Sequence, residues 1–124
     1  MGAVTPLGND IPALWGSLIS GQSGITPVTR FDATSLPSRI AGEVRNFDPR
    51  VFLSAKDAHK TDPFIHYAVA AALMAVEDAR LSLRTPHSAP RTGVLIGSGR
   101  GGVMTYEKNL LAFHATGHRA VSPF

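Results

Sequence analysis

Residues Arg91-Thr-Gly-Val-Leu-Ile-Gly-Ser-Gly-Arg-Gly-Gly102 join a short apolar run to a glycine-rich turn. The run Gly93–Ile96 has no polar side chain, which is typical of a strand covered on both faces in a parallel sheet. The glycines after it permit a tight reversal of the chain, and residues 103–114 resume with the apolar spacing of a helix. This segment therefore predicts a strand–turn–helix unit of an α/β protein.

A long helix is predicted before this unit. An Asp cap followed by Pro at the first helical position favours a helix start, and Asp62-Pro63 provides that pair. The helix should run to about Arg80. Its apolar ridge lies beside a face of alanines, which lets another backbone approach closely, and almost no polar residue precedes Glu77. We therefore expect a helix that is buried on nearly all sides.

The first half of the chain predicts shorter elements. Asn9 or Asp10 can cap a helix that Gly21 ends. Residues 22–39 are rich in Pro, Gly, Ser and Thr and indicate an irregular surface segment, while residues 40–44 indicate at best a short edge strand. A single buried strand needs neighbours in a sheet, so we interpret the chain as a fragment of a larger α/β protein.

Composition excludes several functional classes. The chain has 124 residues, a net charge of +3 and no cysteine. The charge is too slight to imply nucleic acid, and no apolar run reaches the roughly 20 residues that cross a bilayer. With no secretion signal either, we expect a cytoplasmic protein without a membrane partner. The absence of cysteine excludes a disulfide framework, a thiolate metal site and a thiol nucleophile within the chain.

The short motifs give little support for chemistry within the chain. Gly97–Gly102 matches the G-x-G-x-x-G spacing of dinucleotide sites, but no acid follows Glu107 to bind the ribose. His114 and His118 have the spacing of metal ligands, but Gly117 breaks the helix that would align them. We therefore expect no catalytic residue, no metal and no cofactor, with a small dinucleotide-binding module kept as an alternative.

A series of short motifs runs through the chain in a fixed order. The motifs are Gly2–Asp10, Trp15 with Leu18, Gly21–Ile25, Phe31-Asp32, Ala41–Val44, Asn46–Asp48, Asp62 with Phe64-Ile65, Tyr67-Ala68, Gly93–Gly99 and Ser122–Phe124. Their order resembles the N-terminal segment of the beta-ketoacyl-acyl-carrier-protein synthases, and the type II enzymes of fatty-acid synthesis are the most similar. The resemblance implies a thiolase-like α/β/α/β/α fold, of which residues 1–124 are a partial N-terminal domain lacking the first strand and the catalytic half.

The same resemblance implies an acyltransferase that condenses an acyl group with malonyl carrier protein and releases carbon dioxide. That family uses a cysteine nucleophile, two histidines and an oxyanion hole, none of which falls within this chain. The chain alone is therefore predicted to be inactive. The implied partners are acyl- and malonyl-loaded acyl carrier protein and, at full length, a second copy of the same protein. A non-catalytic chain-length-determining partner in polyketide synthesis is an alternative.

Two sets of binding residues follow from the resemblance. Lys56, His59 and Lys60 occupy the family's basic patch, where charge steers the acidic carrier protein. His59 stands where arginine is usual, so the patch should strengthen when His59 is protonated. Arg100 occupies the position of a residue that lines the acyl pocket near the dimer interface. A buried guanidinium there would need a paired acid, so a short or polar pocket, a dimer contact and a structural turn arginine remain alternatives.

Overall fold

The computed structural model describes residues 1–82 and 92–122. The elements in chain order are α1 (Ile11–Ile19), β1 (Thr26–Pro27), β2 (Ile40–Ala41), α2 (Ala55–Lys60), α3 (Pro63–Asp78) and α4 (Val103–Thr116), with 3-10 turns at Pro49–Val51 and His118–Ala120. They form two compact units, Met1–Asp48 with Ala70–Leu81 and Pro49–Val69 with Ser82–Phe124, so that α3 contributes to both. Among the described residues, no helix has the length and hydropathy that a membrane crossing requires.

The first unit begins with α1, which confirms the predicted helix. The Asp10 carboxylate caps it by accepting a hydrogen bond from the Ala13 amide at 2.7 Å, so Asp10 rather than Asn9 is the cap. The helix ends at Ile19, and Gly21 follows in the left-handed region with φ +67°. Two large apolar residues of α1, Trp15 and Ile19, are exposed.

A two-stranded antiparallel sheet follows α1 in the first unit. Thr26 pairs with Ala41 and Pro27 with Ile40, which confirms a short strand at the start of the predicted 40–44 segment. The partner strand β1 lies where the sequence predicted irregular structure. The Glu43 carboxylate fastens the chain after β1, because it accepts hydrogen bonds from the Thr29 amide, the Thr29 hydroxyl and the Arg30 amide.

The alanine face of α3 receives a close backbone contact, as predicted. A methyl group added at Gly2 would lie 2.0 Å from the Ala71 carbonyl oxygen and 2.7 Å from the Ala75 nitrogen. Glycine is therefore required for this approach. The prediction that α3 is buried on nearly all sides is wrong, because Ala70 is fully buried whereas Leu73 is 46% exposed. Few elements of the described chain are available to cover the apolar surface of α3.

The second unit contains the glycine-rich turn and α4. The predicted helix is confirmed as Val103–Thr116, and Gly102 caps it with φ +76°. A methyl group added at Gly101 would lie 2.8 Å from two ring carbons of Phe64, so the turn packs closely against the start of α3. The contact fixes the turn beside the residues that connect α2 to α3.

The strand predicted at Gly93–Ile96 does not form in this structure. Val94, Leu95 and Ile96 are 68%, 98% and 53% exposed, and residues 93–98 belong to no sheet. A strand depends on hydrogen bonds from a neighbouring chain segment, and the described residues supply none beside this run. The apolar pattern is therefore present without the partner that would make it a buried strand.

Candidate functional site

Helix α2 positions the predicted basic residues, and its local sequence explains why it forms. The Ser54 hydroxyl accepts a hydrogen bond from the Asp57 amide at 3.1 Å and donates one to the Asp57 carboxylate at 2.7 Å. At the other end, the Thr61 hydroxyl donates to the Asp57 carbonyl oxygen at 2.7 Å. No helix was predicted from the sequence of this stretch. The Ser cap with an acid three residues later was the signal that could have revealed the helix.

The structure brings the three predicted carrier-binding residues together. Lys56, His59 and Lys60, here called the basic patch, lie on α2 at relative positions i, i+3 and i+4, which share one face of a helix. All three side chains are exposed. The acid within the same helix, Asp57, is held at the N-terminal turn by its bonds to Ser54. The basic patch therefore lies on an exposed face of α2.

A cavity of about 460 Å³ adjoins the basic patch within the second unit. The end of α2, the α2–α3 connection, the first turn of α3 and the first two turns of α4 line it. The Asp62 carboxylate links the α2–α3 connection to α4. It accepts hydrogen bonds from the Thr105 hydroxyl at 2.6 Å and from the Thr105 amide at 3.2 Å. The sequence assigned Asp62 to the start of α3, whereas its carboxylate also holds α4 in place.

His66 forms another polar contact beside the cavity. Its Nε2 atom lies 3.0 Å from the Thr61 hydroxyl, and the residue is only 8% exposed. Thr61 is itself bonded to the end of α2 through the Asp57 carbonyl oxygen. Two hydrogen-bonded contacts, Asp62 with Thr105 and Thr61 with His66, thus fix the shape of this region.

The remaining predicted residues lie elsewhere. Arg100 is exposed in the bend before α4 and does not line the cavity, so its predicted role at an acyl pocket or a dimer contact stays a prediction. His114 lies near the end of α4 and His118 in the following 3-10 turn. Within residues 1–82 and 92–122, no group of three or more His, Asp or Glu side chains could hold a metal ion.

Comparison with known proteins gives consistent similarities over the whole chain. The family described as "Beta-ketoacyl synthase, N-terminal domain" matches residues 1–124. The chain is 48% identical to 3-oxoacyl-[acyl-carrier-protein] synthase 2 of Coxiella burnetii and 44% identical to that of Vibrio harveyi, over 100% of this chain and 30% of each relative. The chain therefore spans about 30% of the length of these curated relatives.

A solved structure shows the same similarity in three dimensions. The structure titled "The ishigamide ketosynthase/chain length factor" superposes with a TM-score of 0.71 at 28% sequence identity. The superposition covers 98% of this chain and 30% of that chain. The arrangement of the described elements is thus one found within a much longer polypeptide.

Proposed function

The chain belongs to the beta-ketoacyl synthase family, and from this premise we propose that it supplies part of the N-terminal domain of a 3-oxoacyl-acyl-carrier-protein synthase. The family match confirms the motif-based resemblance and the predicted class, the N-terminal part of a thiolase-like α/β fold. The observation that carries the proposed reaction is the 48% identity, over the whole chain, to a synthase named for that activity.

The proposed reaction is a decarboxylative Claisen condensation in fatty-acid synthesis. A cysteine thiolate accepts the acyl group from one carrier protein, and a malonyl thioester on another loses carbon dioxide. The resulting carbanion attacks the acyl thioester, forms the new carbon–carbon bond and releases the thiolate. This chain has no cysteine, so the acyl-accepting thiol must come from residues outside it. We propose that these 124 residues bind and position, and do not catalyse on their own.

The basic patch supports a role in carrier-protein docking. Its three residues lie on one exposed face of α2, and the relatives carry the acyl carrier protein in their names. Complementary charge accelerates encounter and fixes orientation between a basic surface and an acidic partner. Lys56 and Lys60 supply the two ammonium groups of the patch, and the His59 imidazole lies between them in sequence.

Charge reversal of the basic patch tests this role. We expect Lys56→Glu with Lys60→Glu, in the full-length protein, to raise KM for carrier-bound substrate by about tenfold, because two attractions become repulsions. The kcat for condensation, and KM for a small acyl thioester without carrier protein, should stay unchanged. Arg39→Glu, which reverses an exposed charge in the first unit, serves as the control. Unchanged KM together with unchanged carrier affinity would show that the docking assignment is wrong.

Arg100 provides a separate test of substrate selection. If Arg100 limits the acyl pocket, Arg100→Ile should lengthen the products, because an apolar side chain removes the cost of a guanidinium beside an acyl chain. Chromatographic analysis of product length measures this directly. An unaltered profile with a weakened dimer, measured by analytical ultracentrifugation, would place Arg100 at the proposed homodimer contact. An unaltered profile and an intact dimer would leave it a turn residue.

A non-catalytic partner in polyketide synthesis is the second candidate. The solved structure that superposes with this chain is a ketosynthase/chain length factor, which favours keeping this alternative. The two candidates differ in whether the full-length protein accepts an acyl group. Intact-mass analysis after incubation with acyl-loaded carrier protein should show a covalent acyl-enzyme for the synthase and no mass increase for the non-catalytic partner.

A further inference from the structure

We infer that Lys108 of α4 extends the basic patch across the cavity and binds an acidic side chain of the acyl carrier protein. The inference rests on the proposed function, since it assigns a second part of the same docking surface. Neither the sequence patterns nor the family resemblance singled out Lys108. Only the folded second unit brings this residue to the cavity that Lys60 also lines.

The position of Lys108 is fixed by the contact between α4 and the α2–α3 connection. Thr105 is bonded to Asp62 through both its hydroxyl and its amide, and Asp62 lies two residues after Lys60. Lys108 is at position i+3 from Thr105, so it lies on the same face of α4 one turn further along. The cavity is therefore flanked by Lys60 on one side and Lys108 on the other.

The charges around the cavity favour an anionic ligand. Asp62 is the one acid among the described residues that line it, and both of its carboxylate oxygens accept hydrogen bonds from Thr105. Lys60 and Lys108 supply two ammonium groups, and the His59 imidazole also lines the cavity. A cleft lined mainly by one sign of charge concentrates the opposite sign inside it.

The shape of the cavity suits a carboxylate side chain delivered by a protein surface. Its volume of about 460 Å³ exceeds that of an aspartate or glutamate side chain, so bridging waters can share the space. Lysine places a compact charge on a flexible stem, and its reach allows both ammonium groups to approach one carboxylate. Because the basic patch is continuous with this cavity through Lys60, a single acidic partner can occupy both.

The test compares three substitutions of Lys108 in the full-length protein. Lys108→Glu should raise KM for carrier-bound substrate by roughly three- to tenfold, Lys108→Gln by roughly twofold, and Lys108→Arg should leave it nearly unchanged. KM for a small acyl thioester should not change in any variant. His114→Glu places the same negative charge on α4 away from the cavity and is the matched control. The increase should diminish with added salt, because screening weakens exposed ion pairs.

A charge swap then separates direct contact from a change in folding. In the carrier protein, the acidic surface residues are replaced by lysine one at a time. For one of these carrier variants, the Lys108→Glu enzyme should recover the KM that the wild-type enzyme has for the wild-type carrier. Restoration by one carrier variant supports the inference, and failure of every variant overturns it. If Lys60→Glu raises KM and Lys108→Glu does not, the inference is overturned while the proposed function stands. If the wild-type protein does not use carrier-bound substrate, the proposed function and the inference fail together.

Discussion

Replacing Thr105 by Val should loosen α4 by a measurable and predictable amount. The substitution removes the hydroxyl that donates to Asp62 at 2.6 Å, while the Thr105 amide keeps its bond to the same carboxylate at 3.2 Å. A hydrogen bond to a charged group contributes about 1.5–3 kcal/mol. Because the cavity lets water reach the released oxygen, we expect the lower end, about 1.5 kcal/mol. That value corresponds to an increase of about tenfold in the population of the opened state.

Hydrogen exchange of the full-length protein measures this change locally. Amides of α4 should exchange about tenfold faster in Thr105→Val, whereas those of α1 in the first unit should not change. Thr116→Val is the matched control, because Thr116 is on the same helix and donates only to the Ala112 carbonyl oxygen within it. Its effect should stay below about 0.5 kcal/mol. Equal exchange rates in the wild type and Thr105→Val would refute the role assigned to the Asp62–Thr105 bond.

The first unit provides two further predictions. Hydrogen bonds from Thr29, first from its hydroxyl and then from its amide, hold the pKa of Glu43 below its ordinary value of 4.5. These bonds therefore stabilise the fold fully well above pH 4.5. The stabilisation is lost as the pH falls through the lowered pKa that Glu43 has in the folded state. The Thr29 amide should therefore lose protection against exchange in acid, and Glu43→Gln should remove that pH dependence. Asp10→Ala should destabilise α1 by about 1 kcal/mol, because the Ala13 amide loses the carboxylate that caps it. Asp10→Asn should largely preserve the stability of α1, because its side-chain oxygen can still accept this bond. Urea denaturation monitored by circular dichroism compares the two variants.

The helices that the sequence predicted well are those with local start signals. Asp10 begins α1 and Asp62-Pro63 begins α3, because a cap or a proline acts on its own helix and needs no distant partner. Helix α2 has six residues, too few for an apolar period to be visible, so only the Ser54 cap marked it. The three basic residues were nevertheless predicted from the family resemblance, and the helix explains why they share a face.

The features that the sequence did not predict depend on contacts between distant segments. Strand β1 exists because Thr26–Pro27 pairs with Ile40–Ala41, and nothing in the local composition of β1 indicates a strand. The run Gly93–Ile96 has the reverse problem, since its composition favours a strand but the described residues provide no neighbour. Lys108 reaches the cavity through the bond between Thr105 and Asp62, so no inspection of α4 alone could have assigned it.

The exposed run at Val94, Leu95 and Ile96 has a consequence for how the polypeptide is handled. Exposed branched apolar side chains on a segment that belongs to no sheet of the described residues favour strand addition by another molecule. Until this run is covered, productive folding competes with self-association, and the competition worsens as concentration rises. Leu95 is the most exposed residue of the run, at 98%. Substituting Leu95 with a charged residue should therefore lower the tendency of this polypeptide to self-associate.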